Sequence, residues 1–340
     1  MEILLIGGSR FSGKFAIDLL LDKGHSLTVL NRGKAEEDIG VPFLKKEKFS
    51  YPSKVKIIHA DRTNYSDLHE KLKGNEFQAI IDTCAYNEKD IQAIMDIVAD
   101  SLENYVFTST GSVYDDENIE LIPIAEDHPF GSEADDCPIE YSRDKRRAES
   151  LLQKAFEENS FPYTAIRPTY IYGPGNYIYR EAYFFDRIMD GKPILMPGNG
   201  EYIIDFVYAA DVAQLLIAPL ENKKAIGQAY NAAGQGGITL NNYCKMIFRI
   251  IGKETEIIHY DTQPVVDAGL KPENRNQMFP FTHNAHFVLS KEKSVIDLNY
   301  KPKTLFDGLK TTYEWYEIKR NSDWNGDYGL DEKISKLLKD

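Results

Sequence analysis

Residues 1–15, MEILLIGGSRFSGKF, constrain the fold more than any other stretch of the 340-residue chain. Ile3 to Ile6 form a short continuous apolar run, the pattern of a strand buried on both faces of a parallel sheet. Gly7-Gly8-Ser9-Arg10-Phe11-Ser12-Gly13 follows without a break, and Phe15 to Leu21 carries helical apolar spacing. A glycine-rich turn therefore joins a strand to a helix. Such a turn aims backbone N–H groups, and the positive end of the helix dipole, at an anion. Glycine belongs where the chain turns tightly and where a side chain would collide with a pyrophosphate. Gly7 and Gly13 hold the outer positions of that spacing, and Arg10 stands where a middle glycine is common.

The same alternation continues. Strands are expected at Ser26 to Leu30, Val55 to Ile58, Gln78 to Ile81, Tyr105 to Thr108 and Tyr163 to Ile166. Helices are expected near Ser66 to Leu72, Lys89 to Ala99 and Ile139 to Phe156. Strands alternating with helices imply right-handed crossovers and a parallel sheet covered on both faces. The fold class read from this is α/β, a Rossmann-type doubly wound parallel sheet with a smaller C-terminal substrate lobe. Residues 1–167 form the dinucleotide-binding domain, 168–318 the substrate lobe with segments returning to it, and 319–340 a polar tail. Helices resume in the lobe near Tyr183 to Met189, Ala210 to Leu220 and Leu240 to Ile251. The connection from Gly33 to Lys54, with Lys45, Lys46, Glu47 and Lys48, reads as a solvated loop beside the cofactor site. The tail after Lys319 reads as a surface helix without chemistry.

A net charge of -13 argues against a general nucleic-acid binder, since phosphate contacts need clustered Lys and Arg. The cysteines Cys84, Cys137 and Cys244 are odd in number, lack metal-ligand spacing and suit free thiols in a reducing compartment. The chain enters a strand directly, with no leader-like segment, and no apolar run is long enough to span a bilayer. A cytoplasmic protein without a membrane partner or metal is expected.

Chemistry-bearing residues fall at the expected carboxyl ends of the strands. After the second strand, Asn31-Arg32 replaces the carboxylate that would hold ribose hydroxyls, and Lys34 follows closely. An Arg fork suits a 2′-phosphate, so NADP is favoured over NAD. Asp61, after the third strand, is placed to accept from an adenine amino group, with helix capping as the competing role. Cys84-Ala85-Tyr86 lines the cofactor after the fourth strand. Strand five ends in Thr108-Ser109-Thr110-Gly111-Ser112-Val113-Tyr114, and Tyr141 and Lys145 lie one turn apart at the start of the following helix. An ammonium beside a phenol favours the phenolate, which then exchanges a proton with an alcohol or carbonyl. Thr110 supplies a hydroxyl that orients the same oxygen.

In these stretches the chain resembles an extended short-chain dehydrogenase/reductase of the NAD-dependent epimerase/dehydratase family. The resemblance extends to Arg167-Pro168-Thr169-Tyr170-Ile171-Tyr172-Gly173-Pro174-Gly175 and Phe206-Val207-Tyr208-Ala209-Ala210-Asp211-Val212-Ala213. The Gly-Gly-x-Arg-Phe-x-Gly turn is similar to a branch that includes the chloroplast stem-loop-binding proteins. The resemblance implies Thr110, Tyr141 and Lys145 as the catalytic trio. It also implies cofactor contacts from Gly7, Ser9, Arg10, Phe11, Ser12, Gly13, Asn31, Arg32, Asp61 and Arg62. Cys84, Ala85, Tyr86, Ser109, Tyr141, Lys145 and Pro168 complete that set. A homodimer packed through the helices near Lys89 and Tyr141 is implied as well.

The expected activity is an NAD(P)-dependent epimerase or oxidoreductase acting on a sugar or nucleotide-sugar hydroxyl or ketone. The alternatives are an NADP-dependent ketone reductase, and a non-catalytic dinucleotide-binding or RNA-associated regulator. Gly111-Ser112 stands where dehydratases of the family carry an acidic pair, which argues against dehydration. Ile204 stands where epimerases place an Arg on the substrate diphosphate, with Arg180, Arg187 or Arg275 as substitutes. His283 and His286 are read as solvated or pocket-lining rather than metal ligands.

Overall fold

The computed structural model describes residues 1–33, 41–97, 101–115, 118–119, 121–270, 279–281, 284–326, 328–329 and 331–337. The first half runs β1 (Glu2–Ile6), α1 (Ser12–Asp22), β2 (Ser26–Asn31), β3 (Lys56–His59), α2 (Tyr65–Leu72), β4 (Ala79–Asp82), α3 (Glu88–Met95), β5 (Asn104–Thr108), α4 (Glu140–Asn159) and β6 (Tyr163–Pro168). These six strands and their helices fall where the apolar pattern puts them; residues 98–100, at the expected end of the third helix, lie outside the described residues.

Beyond Pro168 the chain forms β7 (Tyr170–Tyr172), α5 (Glu181–Asp190), β8 (Ile194–Pro197), β9 (Ile203–Ile204), β10 (Phe206–Tyr208), α6 (Ala209–Ile217) and β11 (Gln228–Ala232). It continues through β12 (Ile238–Thr239), α7 (Leu240–Ile251), β13 (Ile257–Tyr260), α8 (Gln263–Asp267), α9 (Glu292–Leu298), α10 (Leu305–Lys319) and α11 (Asp331–Leu337).

A seven-stranded sheet has the order β11-β6-β5-β4-β1-β2-β3, and every pairing in it is parallel. The period-two geometry of β1 divides its side chains between two cores. Ile3 and Leu5 join α1 and α6 on one face, through Ile17, Leu20, Val212 and Leu216. Leu4 and Ile6 join α2, α3 and α4 on the other, through Leu68, Ile91, Ile94 and Leu152. The chain leaves β1 toward β2 and β3, then returns to place β4 on the other side of β1. That reversal opens a crevice at the carboxyl ends of β1 and β4, the position where sheets of this kind bind ligands.

Small two-stranded pairings, β10 with β7, β12 with β9 and β13 with β8, frame a separate aromatic core. Phe184, Phe206, Tyr243, Phe279 and Phe281 are buried there, with Phe206 stacked on Tyr243 at 4.6 Å. β11 and α6 return to the large sheet from within the second half.

Two sequence expectations need correction. The Gly33 to Lys54 connection is not simply solvated, although residues 34–40 lie outside the described residues. Phe43 is 5% exposed in the aromatic core, and the Lys45 amide donates to the Lys319 carbonyl at 2.8 Å. The tail is equally docked. Trp324 Nε1 donates to Asp186 at 2.8 Å, and Arg187 pairs with Asp331 at 2.7 and 2.9 Å. Apolar and aromatic residues spaced among charges carry these contacts, so composition alone reads both segments as surface.

Candidate active site

The sequence-derived site residues converge on the carboxyl edge of the sheet. The glycine turn leaves β1; Asn31 and Arg32 leave β2; Asp61 and Arg62 leave β3; Cys84 to Tyr86 leave β4; Ser109 and Thr110 leave β5; Pro168 ends β6. Tyr141 and Lys145 stand in the first two turns of α4.

The turn is built for close packing. A Cβ on Gly13 would lie 2.6 Å from Gly8 Cα, and one on Gly7 would overlap the Thr83 hydroxyl. Phe11 is held at φ 49°, a conformation costly for an aromatic residue and retained only where its surroundings enforce it. Asn64, Asn87, Thr239 and Thr304 cap α2, α3, α7 and α10 with their side chains. α1 has no such cap and no acid in its first turn, so no side chain of its own opposes an anion at its positive end, although the Gly13 and Lys14 amides donate to the Arg10 and Phe11 carbonyls at 3.0 and 3.1 Å. Burial lowers the Arg10 pKa, and the nearby Arg32 charge lowers it further against the opposing pull of Tyr177. These features fit the phosphates of a dinucleotide.

At the other end of the crevice, Lys145 is 3% exposed. Its ammonium donates to the Ala85 carbonyl at 2.7 Å and the Thr108 carbonyl at 2.6 Å. It lies 6.0 Å from the centre of the Tyr141 ring. Burial pushes its pKa down to about 8, against the opposing pull of the Asp82 carboxylate. Tyr141 is 42% exposed and stands edge-on to Tyr86 at 6.3 Å. The Thr110 hydroxyl accepts from the Ser112 amide at 3.2 Å and lies 3.4 Å from the Ser112 hydroxyl. A charged amine, an accessible phenol and two hydroxyls therefore share one end of the crevice, a set able to move a proton to or from a substrate oxygen.

Several expected cofactor residues have their side chains engaged elsewhere. Arg62 is buried and donates to both oxygens of Asp82 at 2.7 and 3.0 Å, and to the Asp90 carbonyl at 3.1 Å. The Ser109 hydroxyl donates to Glu149 at 2.6 Å, behind the site. Asn31 binds Tyr51, the Gly33 amide and His59, so it shapes the end of β2. Asp61 accepts from the Thr63 amide and hydroxyl at 3.0 and 2.7 Å, whereas Asn64 caps α2; the capping alternative for Asp61 is corrected accordingly. Lys34, Arg275 and His283 lie outside the described residues. Arg187, a possible substitute at a diphosphate, is held by Asp331 and stacked on Tyr183 at 4.3 Å. His286 accepts from the Ile203 amide, and no cluster of three or more possible metal ligands occurs among the described residues.

The sequence reading omitted Asp82. Fully buried at the end of β4, it accepts from Arg62, the Tyr105 hydroxyl and the amides of Cys84 and Ala85. Asp82 thereby shapes the turn whose Ala85 carbonyl holds Lys145. An acid ending an otherwise apolar strand, Ala79-Ile80-Ile81-Asp82, was the signal for it. Tyr177 was also omitted; its ring lies against Arg10 and Phe11.

Fold and site together define a Rossmann-type protein with a glycine turn after β1 and a Tyr-x-x-x-Lys pair on α4, both at the carboxyl edge of the sheet. Residues 3–233 match the model of the NAD dependent epimerase/dehydratase family, and the chain belongs to that family as an extended short-chain dehydrogenase/reductase. It is 31% identical over 315 residues to the chloroplast stem-loop binding protein of 41 kDa b of Arabidopsis thaliana, covering 92% of this chain and 78% of that protein. Among solved structures it resembles a UDP-glucose 4-epimerase from Thermotoga maritima with UDP-glucose, at TM-score 0.73 and 20% identity over 94% of this chain and 99% of that one. A dTDP-glucose 4,6-dehydratase from Bacillus anthracis in complex with NAD gives TM-score 0.71 and 19% identity over 95% and 98% of the two chains. The two structural likenesses bear on fold alone. Among the described residues, no helix is long and apolar enough to cross a membrane.

Proposed function

We propose that the protein is an NAD(P)-dependent oxidoreductase or epimerase that acts on a hydroxyl or ketone of a sugar or nucleotide sugar. The observation that carries this reading is the Lys145 ammonium, held by the Ala85 and Thr108 carbonyls one helical turn from Tyr141. The dinucleotide, when bound, supplies the acceptor or donor of hydride. Gly7 to Gly13 would hold its phosphates and Ala85 to Tyr86 would line its nicotinamide end. Tyr141, as phenolate, takes the proton from the substrate hydroxyl as the carbon loses hydride, and returns it in the reverse direction. Lys145 keeps that phenolate accessible near neutrality by its charge. Thr110 and Ser112 orient the substrate oxygen.

Arg10 and Arg32, with Asn31 in place of an acid, support NADP over NAD. A homodimer through α3 and α4 and a cytoplasmic location belong to the same reading. So does the division into a dinucleotide domain at 1–167, a substrate lobe at 168–318 and a tail. The name of the Arabidopsis relative favours a second reading, stem-loop RNA binding, which the net charge of -13 opposes.

The test is a screen of free sugars, nucleotide sugars and small ketones followed by dinucleotide absorbance, with product analysis for epimers. Tyr141→Phe should lower turnover at least about a hundredfold while leaving dinucleotide affinity within a few-fold. Unaltered turnover in that variant refutes the mechanism. Tighter binding of NADH than NADPH refutes the cofactor preference. Stem-loop RNA binding without dinucleotide turnover would favour the second reading.

A further inference from the structure

We propose that Tyr177 and Arg10 form a fixed clamp across the dinucleotide groove and slow release of the bound cofactor. The inference rests on reading the glycine turn as the dinucleotide site, and it adds a residue from the second half of the chain to that site.

Tyr177 lies in the turn that follows β7. A Cβ on Gly175, at φ 86°, would sit 3.8 Å from the Phe11 backbone, so this turn is seated against the glycine turn. The foot of the turn is rigid. Asn176 is 3% exposed, accepts from the Ile178 amide at 3.0 Å and donates to Glu181 at 2.8 Å. Its neighbour Tyr177 is 40% exposed and lies against Arg10 and Phe11 of the glycine turn.

The Tyr177 ring carries the Arg10 guanidinium 5.1 Å from its centre and meets Phe11 edge-on at 6.5 Å. Arg10 pairs with no carboxylate among the described residues. An anion beneath it would complete a sandwich of phosphate, guanidinium and aromatic face, each layer attracting the next. The line of rings continues toward α4. Tyr86 feels both the Tyr177 and the Tyr141 phenols, and its ring stands 6.3 Å from that of Tyr141. Arg10, Tyr177, Tyr86 and Tyr141 thus span the crevice from the phosphate end to the amine–phenol pair. The Tyr177 face braces the Arg10 guanidinium from the side away from a bound phosphate, so a departing dinucleotide gives up an ion pair that the ring holds in place. A resident cofactor of that kind suits a reaction in which the dinucleotide is regenerated within one turnover rather than exchanged.

The experiment loads the full-length protein with NADPH, and separately with NADH, and follows nicotinamide fluorescence after a chase with excess oxidised dinucleotide. Tyr177→Ala should raise the dissociation rate about tenfold or more, with association little changed. Tyr177→Phe should stay within about twofold of the parent, because the ring face rather than the hydroxyl makes the contact. An unchanged rate in Tyr177→Ala overturns the clamp while leaving the dinucleotide reading intact. A Tyr177→Phe rate as fast as that of Tyr177→Ala also overturns it. If the parent protein binds neither dinucleotide, the underlying reading falls and the clamp falls with it.

Discussion

Lys145 is the residue at which burial and charge are most directly opposed. Two backbone carbonyls hold its ammonium, yet removal from water brings its pKa to about 8. The role proposed for it, lowering the phenol pKa, requires the charged form. The protonated fraction falls as pH rises through about 8, so turnover should develop an alkaline limb centred there. Unfolding would not cause that limb. Between the folded value of about 8 and the higher unfolded value, the unfolded chain holds the proton and the folded chain does not. The Lys145 contribution to stability therefore rises with pH over the window in which activity falls. A pH–rate profile recorded beside circular dichroism separates the two. A rate that stays flat from pH 7 to about 10 would remove the charged amine from the mechanism.

Helix α4 carries more than the Tyr-Lys pair, because Arg146 ties it to the active-site turn. Arg146 is 5% exposed and donates to the carbonyls of Ser112, Val113, Tyr114 and Ser132 at distances from 2.8 to 3.2 Å. A lysine keeps the charge but cannot fork to these acceptors. Arg146→Lys should lower kcat about tenfold or more with dinucleotide affinity within a few-fold, and cost about 1–3 kcal/mol of stability. Kinetics, fluorescence titration and thermal melts check the three; an unchanged kcat sinks the positioning role. The sequence hid this tie, although it displayed the elements that Arg146 joins. Strands β1, β2, β4, β5 and β6 are legible because burial on both faces leaves short, mostly apolar runs between turn residues, and the half-buried edge strand β3 is marked by Val55, Ile57 and Ile58. Tyr141, Lys145 and the glycine turn are legible because helix and turn geometry act over a few residues. β7, β9, β10 and β12 have two or three residues each, too few for a period, and none was marked. β11 was also missed, its Gln228-Ala229-Tyr230-Asn231-Ala232 pattern carrying only weak alternation. Asp82 and Tyr177 matter through contacts that the local pattern does not encode.

Across the whole molecule, the far end of the chain is bound to the cofactor crevice through a series of contacts. The buried Asp186 carboxylate accepts from the Tyr179 and Tyr316 hydroxyls and Trp324 Nε1 and forms an ion pair with Arg320, so it joins α5, the end of α10 and the tail. Trp324 packs on Phe43 at 6.3 Å, and the Asn321 amide donates to the Phe43 carbonyl at 3.0 Å. From there the segment 43–51 runs back to the glycine turn. Lys319 pairs with Glu47, Lys14 of α1 stands 4.5 Å over the Phe49 ring, and Tyr51 accepts from Asn31 at 3.0 Å. Removal of residues 321–340 would strip Asp186 of Trp324, expose Phe43 and take away Asp331, the carboxylate paired with Arg187. Leaving the buried Arg187 charge without its carboxylate costs about 3–5 kcal/mol, so the truncated protein should melt several degrees lower. The truncation also frees the 43–51 segment from its anchor, which should weaken dinucleotide binding about tenfold at temperatures where the fold persists. Measuring the melting point and the NADPH affinity of the same truncated protein separates the effects. A lowered melting point with unchanged affinity would confine the tail to the aromatic core and cut it off from the crevice.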